Sequence, residues 1–234
     1  MKIKVLASSS EGNCAWISDG KTSLLLDAGL PLGEIQKGCN FGLSALGGCL
    51  ITHEHNDHAK AGLKLMERSI DVYTSQGTAD AHGWSGHRLH IVRSLQGFTI
   101  GTLDVLAFGV EHDAVEPLGF VIYSRATRDK LLYLTDTFYT KYRFNGLTHI
   151  MCECNYDMDI LLHNVKIGEV EAVAANRITK SHMSIDTLLD MLAANDRSRL
   201  RQIYLLHISS RNGNPEEFKK RVQKLTGVEV YACC

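Results

Sequence analysis

The chain of 234 residues is predicted to be a mixed α/β protein, with two sheets packed together and helices outside them. Two blocks of strand-like segments, each followed by segments with helical spacing, predict this class. No internal repeat, linker or low-complexity tract interrupts the chain. A length of this order is often one domain in α/β proteins. We therefore expect residues 1–234 to form a single domain.

The first block is predicted from apolar runs and from alternation of apolar and polar residues. Its strands are expected at residues 2–7, 14–18, 22–27, 48–52 and 71–74. Asp19-Gly20 is a strong hairpin signal between two of them. Pro31 is suited to the first turn of a short helix. A helix is expected over 59–68, from its apolar stripe, whereas 76–90 is rich in Gly and His and has no clear assignment.

The second block is predicted in the same way. Its strands are expected at residues 98–100, 103–110, 118–124, 130–135, 148–153, 202–206 and 228–231. Helices are expected within 155–176 and over 215–225. Ser184 can cap a further helix whose leucines form one apolar stripe.

Composition limits the classes of function. The apolar fraction of 44% and charged fraction of 22% are ordinary for a globular protein. A formal net charge of −1 argues against a broadly basic surface for nucleic acid, although a local basic groove stays open. The chain contains no apolar run long enough for a signal peptide or a membrane span. Seven cysteines without a Cys-x-x-Cys pair indicate reduced thiols, so we expect a cytoplasmic protein with no membrane partner.

The stretch His53-Glu-His-Asn-Asp-His58 follows a predicted buried strand. It places three imidazoles and a carboxylate within six residues. Imidazole nitrogen and carboxylate oxygen are common ligands for zinc and its neighbours. The spacing lets the set divide into two groups of ligands. This pattern predicts a metal site, and two metals are favoured over one.

A site for two metals needs more ligands than this stretch supplies. His112, Asp136 and His207 each come directly after, or close to, the end of a predicted apolar strand. Such a strand holds the backbone still while the side chain reaches into a cleft. We therefore expect these three residues to complete the site.

These residues resemble the metallo-β-lactamase superfamily, whose pattern is H-x-H-x-D-H followed by a His, an Asp and a His at later strand ends. The resemblance implies a four-layer αββα sandwich. It also implies seven ligands for two ions: His53, His55 and His112 for one, Asp57, His58 and His207 for the other, and Asp136 for both. Asp27 matches an acidic position that supports a ligand histidine without touching the metal.

The resemblance extends to the YycJ/WalJ-like exonuclease branch, whose members are described as 5′-to-3′ DNA exonucleases. The segments that match cover most of the chain in order: 7–13, 26–29, 51–58, 111–117, 153–157, 181–184 and 206–209. This likeness implies a nuclease acting on DNA, with RNA as the other nucleic acid to test. Ser9, Asn13 and Asn155 match motifs of this branch, and we expect them to contact the substrate.

His182 decides between substrate classes. In nuclease and phosphodiesterase branches of the resembled superfamily, a His in an H-x-S/T context assists the phosphate or the leaving group. Ester- and lactam-cleaving members generally lack it. We expect His182 to open a helix, where the positive end of the dipole also favours an anion. Only 45 residues lie between Asp136 and His182, so the inserted cap of some RNA-processing members is not expected.

The predicted mechanism follows from these ligands. Two divalent ions lower the pKa of a bridging water and supply hydroxide near neutral pH. His182 is expected to act on the phosphate or the departing oxygen. Asp57 is expected to orient the nucleophile as well as to bind metal. The donor types suit zinc, manganese and iron equally, so the sequence does not select the ion.

Several interpretations stay open. The same scaffold could hydrolyse a small molecule such as a thioester, a lactone or a cyclic phosphodiester, or could bind metal without activity. Cys152 and Cys154 could be soft ligands, but strand alternation favours buried core thiols. The histidines of 82–90 could stack on bases, although an ordinary surface loop is the simpler interpretation.

Overall fold

The computed structural model describes residues 1–233, and Cys234 lies outside the described residues. The chain forms two compact units. The first unit comprises Met1–Gly109 and Ala114–Tyr133, and the second comprises Val110–Asp113 and the residues from Leu134 onward. The single domain expected from the sequence stays a prediction.

The first unit contains a six-stranded sheet whose strands lie in chain order. They are β1 (Lys2–Ser9), β2 (Gly12–Ser18), β3 (Ser23–Leu26), β4 (Gly48–Leu50), β5 (Val72–Thr74) and β6 (Leu89–Ile91). The first three pair antiparallel and the rest parallel. An antiparallel meander follows: β7 (Gly97–Ile100), β8 (Leu103–Gly109), β9 (Leu118–Ser124) and β10 (Lys130–Leu134).

Short helices connect the strands of the six-stranded sheet. They are α1 (Leu32–Gly38), α2 (Asn56–Ala59), α3 (Gly62–Glu67) and α4 (Gln76–His82). The helix expected over 59–68 is present as α3 but begins later than predicted, because the Ala61 N–H donates to the Ala28 carbonyl at 2.8 Å and leaves the helical ladder. The unassigned segment 76–90 contains α4 and β6. Ser75 caps α4, and Gly83 ends it at φ +62°.

The core of the first unit explains this local folding. Apolar residues of the parallel strands, among them Leu25, Cys49 and Val72, are fully buried. They lie in one cluster with Ile35 of α1 and Leu65 of α3. Helices and strands therefore bury a common apolar face, which holds the loops after the strands in place.

The described residues of the second unit form three parallel strands and four helices. The strands are β11 (His149–Glu153), β12 (Gln202–Leu206) and β13 (Glu229–Ala232). The helices are α5 (Met158–Lys166), α6 (Ala172–Ser181), α7 (Ile185–Ala194) and α8 (Pro215–Thr226). Cys152 and Cys154 are fully buried, as expected for core thiols. No helix in the part of the chain that the structure describes has the length and hydropathy to cross a membrane.

His182 does not open a helix, contrary to the expectation from the sequence. It is the C-cap of α6, and its N–H donates to the Ile178 carbonyl at 2.9 Å. Helix α7 begins only after its N-cap, Ser184. The His182 backbone is extended, so the side chain lies at the negative end of the α6 dipole, which favours a cation and not an anion.

Candidate metal centre

The loop after β4 brings three histidines of the first unit together. The rings of His53 and His58 lie 4.2 Å apart, and those of His53 and His55 lie 4.7 Å apart. His53 and His58 are buried, whereas Asp57 is partly exposed. His55 is the N-cap of α2, so the short helix presents Asp57 and His58 in its first turn. The predicted stretch therefore forms one compact group within this unit.

A fully buried carboxylate orients His58. Asp27 accepts hydrogen bonds from His58 Nδ1 at 2.8 Å, Thr52 N at 2.8 Å and Tyr133 Oη at 2.6 Å. Because Nδ1 carries the proton, Nε2 is the nitrogen that presents a lone pair. A carboxylate behind a histidine fixes the tautomer and ring orientation of metal ligands in this way. Asp27 lies at φ +57°, a conformation that is uncommon outside glycine.

The three residues expected to contact substrate make contacts within the protein. Asn13 Nδ2 donates to His58 Nε2 at 3.0 Å and to the Ser9 carbonyl at 2.9 Å. Ser9 Oγ accepts from Glu11 N in the turn between β1 and β2. In the second unit, Asn155 Nδ2 donates to the His207 carbonyl at 2.8 Å. Asn13 and Asn155 thus support predicted ligands, and the substrate role of all three stays a prediction.

Gly29 lets two loops of the first unit approach each other. A Cβ at this position would lie 1.6 Å from the Asp57 carbonyl oxygen and 2.7 Å from Asn13 N. We expect Gly29→Ala to displace the backbone at Asp57 and to lower the free energy of unfolding by about 1–3 kcal/mol, as for other overpacked sites. Urea denaturation measures this loss.

Gly33→Ala is the matched control for Gly29→Ala. A Cβ at Gly33 would meet no atom within 4 Å, and the residue lies in α1. We expect Gly33→Ala to raise the free energy of unfolding by about 0.5–1 kcal/mol, since Gly is unfavourable within a helix. Equal effects of the two substitutions would contradict the close approach at Gly29.

A second cluster lies within the second unit. Asp136, Glu153, His182 and His207 each offer one ligand atom, and these four atoms lie within 4.8 Å of one another. Asp136 follows β10, Glu153 ends β11 and His207 follows β12. Asp136 and His207 have φ of +47° and +52°. Non-glycine residues in this conformation cost about 1–3 kcal/mol each and cluster at functional sites.

Glu153 organises this cluster, although no role was predicted for it from the sequence. It is fully buried and accepts hydrogen bonds from His182 Nδ1 at 2.6 Å and from His207 Nδ1 at 3.2 Å. The backbone N–H groups of Thr137 and Met183 also donate to it, at 2.9 and 3.2 Å. Its position at the end of an apolar strand is the signal that identified Asp136 and His207, and it applied equally to Glu153.

The charges in this cluster stabilise one another. Burial acts to raise the pKa of Glu153, but the charge of His182 and the hydrogen bonds from both histidines outweigh burial and lower it. Burial disfavours the charged forms of His182 and His207, yet the neighbouring carboxylates raise the pKa of His182 and raise that of His207 to about 10. Without a bound ion, positive charge on the imidazoles therefore offsets the negative charge of the carboxylates. A cation that binds to these side chains displaces protons from the imidazoles.

His112 also belongs to the second unit. Its Nδ1 donates to the Ser181 carbonyl at 3.0 Å, and its Nε2 lies 3.7 Å from Asp136 Oδ2. Burial lowers the pKa of His112. A neutral ring with its proton on Nδ1 presents the Nε2 lone pair, which is the form that binds a metal ion.

The donor set fits divalent metal ions. His58 and His112 each have Nδ1 engaged by an acceptor, which leaves the lone pair of each ring on Nε2. In His58 this lone pair accepts from Asn13 Nδ2, a contact that a bound ion would replace. Asp136 and Glu153 supply carboxylate oxygens in the second unit, and Asp57 supplies one in the first. Imidazole and carboxylate together suit zinc, manganese and iron, and this chemistry does not select among them.

The other histidines of interest make structural contacts. His82 Nε2 lies 2.8 Å from the Glu54 carbonyl, and its ring stacks on Trp84 at 4.4 Å. The His90 ring stacks on Tyr73 at 4.6 Å. His82 ends α4 and His90 lies in β6, so the expectation of an ordinary surface loop is wrong for these two residues. His87 lies in the exposed turn between them, as expected. The stacking holds α4 and β6 within their unit.

Comparison with known proteins identifies the family. A family model described as beta-lactamase superfamily domain matches residues 24–208. The chain is 29% identical to exodeoxyribonuclease YycJ of Bacillus anthracis, over 96% of this chain and 89% of that protein. It is 30% identical to exodeoxyribonuclease WalJ of Streptococcus pneumoniae serotype 2, over 92% of this chain and 84% of that protein.

Solved structures show the same fold. The metallo-β-lactamase fold protein YhfI of Bacillus subtilis superposes with a TM-score of 0.76 at 14% identity, over 99% of this chain and 95% of that one. The short form of human tRNase Z superposes with a TM-score of 0.64 at 14% identity, over 100% and 96% of the two chains. The fold class predicted from the sequence is confirmed. The chain therefore belongs to the beta-lactamase superfamily domain family and is a hydrolase with the metallo-β-lactamase fold.

Proposed function

We propose that the protein is a metal-dependent nuclease that hydrolyses phosphodiester bonds in DNA, acting as a 5′-to-3′ exonuclease. The observation that carries this proposal is the hydrogen bond of 2.6 Å between His182 and Glu153, beside Asp136 and His207. In the resembled superfamily, such a histidine is typical of phosphodiesterases and is generally missing from enzymes that cleave esters or lactams. The names of the YycJ and WalJ relatives support DNA as the substrate.

The cofactors in this proposal are two divalent metal ions, zinc or manganese, with iron as the third ion that these donors suit. Their assignment to ligands follows the superfamily pattern in the sequence. In this assignment one ion is bound by His53, His55 and His112, the other by Asp57, His58 and His207, and both by Asp136. When bound, such ions supply an activated water and offset negative charge on the phosphate.

The side chains of this chain have distinct roles in the reaction. Glu153 accepts the His182 Nδ1 hydrogen bond and so orients the ring, with Nε2 as the nitrogen that can pass a proton to the departing oxygen. Asp27 holds His58 in its ligand tautomer. In this proposal Asp57, which is partly exposed, orients the attacking water as well as binding metal.

A cytoplasmic location belongs to the same proposal. Cys14, Cys49, Cys152 and Cys154 are buried thiols without disulfide bonds. Burial raises the pKa of all four, which keeps them in the thiol form. Such thiols are typical of proteins from a reducing compartment.

Removal and return of metal test the proposed function. Protein treated with EDTA should lose turnover of DNA, and zinc or manganese should restore it. The substrates are matched single- and double-stranded DNA and RNA, each labelled at either the 5′ or the 3′ end. Release of the 5′-terminal nucleotide first, with DNA preferred, is the expected result. Metal-loaded protein that leaves every phosphodiester intact would overturn the proposal. A preference for RNA would overturn the assignment of DNA as the substrate, and a preference for the 3′ end would overturn the 5′-to-3′ polarity.

A further inference from the structure

A cavity of about 360 Å³ lies within the second unit, between the segment after Asp136 and helix α7. Tyr139 and Lys141 contribute to one wall, and Asp190 of α7 contributes to the other. Met183, the residue after His182, also lines it. No pattern in the sequence predicts this cavity, since its walls come from residues about 50 positions apart in the chain.

The cavity adjoins the cluster around Glu153. Met183 N donates to Glu153 Oε2 at 3.2 Å, and Thr137 N donates to the same oxygen at 2.9 Å. Thr137 Oγ1 in turn donates to the Tyr139 carbonyl at 2.8 Å. Each wall is therefore connected by hydrogen bonds to Glu153, the carboxylate that orients His182. Met183, which lines the cavity, is hydrogen-bonded directly to this carboxylate.

The segment that forms the first wall is held at both ends. Beyond Tyr139, the Phe144 N–H donates to Asn195 Oδ1 at 2.6 Å, and Arg143 donates to the Ala194 carbonyl at the end of α7. The wall therefore needs little ordering when a ligand binds. Such preorganisation favours affinity, because less conformational entropy is lost.

The lining of this cavity suits a nucleobase. The Tyr139 side chain is 50% exposed and the neighbouring Phe138 is 39% exposed. Large aromatic side chains are more often buried than exposed in folded proteins. Lys141 is exposed, with its Nζ 5.5 Å from the centre of the Tyr142 ring. Exposed aromatic rings interleaved with basic residues are typical of surfaces that stack bases and contact the phosphate backbone. The Asp190 carboxylate can accept from the amino group of a base.

The volume restricts the size of the ligand. Small-molecule sites range from about 300 to 1,000 Å³, so this cavity is at the lower end of that range. It takes one nucleoside and not a stretch of duplex. A cavity for one nucleoside suits an enzyme that works from the end of a strand.

We propose that this cavity binds one nucleobase of the substrate strand next to the bond that is cut, with Tyr139 stacking on that base. This inference rests on the proposed function, since it names the part of the nucleic acid that the nuclease holds. Tyr139 is a positioning residue in this proposal: it touches the base and leaves the proton transfer to His182.

Equilibrium binding of the metal-loaded protein to a nuclease-resistant phosphorothioate probe tests the cavity separately from hydrolysis. The probe is a single-stranded oligodeoxynucleotide with a fluorophore at its 3′ end, together with a series in which each of the four 5′ nucleotides in turn is abasic. Fluorescence anisotropy reports the dissociation constant. Stacking is worth about 1–3 kcal/mol per base, or about 5- to 150-fold in affinity. One abasic position should weaken binding to the wild-type protein by this factor.

Variants of Tyr139 complete a double-mutant cycle with the abasic series. Tyr139→Ala should weaken binding of the intact oligonucleotide by the same factor and show no further loss at that abasic position. Tyr139→Phe keeps the ring and should bind within twofold of the wild-type protein. Tyr123→Ala is the matched control, because Tyr123 is a partly exposed tyrosine on β9 in the first unit. It should retain full affinity.

The outcomes separate the two proposals. Additive effects of Tyr139→Ala and every abasic position, or failure of the wild-type protein to bind the oligonucleotide, would overturn the cavity proposal. A coupled cycle in a protein that hydrolyses no phosphodiester would support the cavity and overturn the nuclease. Equal coupling in a matched RNA series also supports the cavity, since the base is the group that it recognises.

Discussion

His182→Ala should lose about 10²–10⁴-fold in turnover of DNA while it retains its metal ions, the range expected for removal of a general acid. The structure gives the reason: His182 is held by Glu153 at 2.6 Å, beside Asp136 and His207. Single-turnover hydrolysis of end-labelled DNA measures the loss, and elemental analysis of the purified variant measures the metal.

A substrate with a better leaving group distinguishes proton donation from a structural role. A 4-nitrophenyl phosphodiester needs little protonation of its departing oxygen, so we expect His182→Ala to lose much less activity on it than on DNA. His163→Ala is the control, because His163 is exposed on α5 and lies outside the cluster. A His182→Ala protein with full activity on DNA would refute the phosphodiesterase assignment.

Glu153→Ala should destabilise the fold by about 3–5 kcal/mol, the range for removing one partner of a buried ion pair. The buried carboxylate accepts from His182, His207 and two backbone N–H groups. Without it, His182 Nδ1 and the backbone N–H groups of Thr137 and Met183 lose their acceptor. His207 Nδ1 keeps Asp136 Oδ1 at 3.0 Å. Urea unfolding at pH 7 measures the loss, and turnover should fall because His182 is no longer oriented.

Glu153→Gln separates the charge from the shape of the side chain. The amide keeps one acceptor oxygen, so we expect its loss of stability to lie between those of the wild-type protein and Glu153→Ala. Glu169→Ala is the control, since Glu169 is exposed between α5 and α6. Unfolding free energies of Glu153→Ala and Glu169→Ala that agree within about 0.5 kcal/mol would contradict a central role for Glu153.

The elements were largely predictable because their signals are local, and the candidate ligands were proposed from the same kind of local signal. Alternation identified the strands of both units, since each strand buries one or both faces. The stretch from His53 to His58 carries its ligands within six residues, and the structure gathers its histidines as one group. Helix boundaries were less certain. The break at Ala61 depends on the Ala28 carbonyl, which is distant in sequence.

Other features arise from residues far apart in the chain. Glu153 lies 29 residues before His182 and 54 before His207, and no local sequence pattern predicts the hydrogen bonds between them. The nucleobase cavity likewise forms where the Tyr139 segment meets α7. The sequence alone shows which metal-donor atoms the chain has and how they are spaced, because residue type and spacing are local properties. The partner that orients each donor, and the space beside it, depend on which strand ends and helices the folded core brings together.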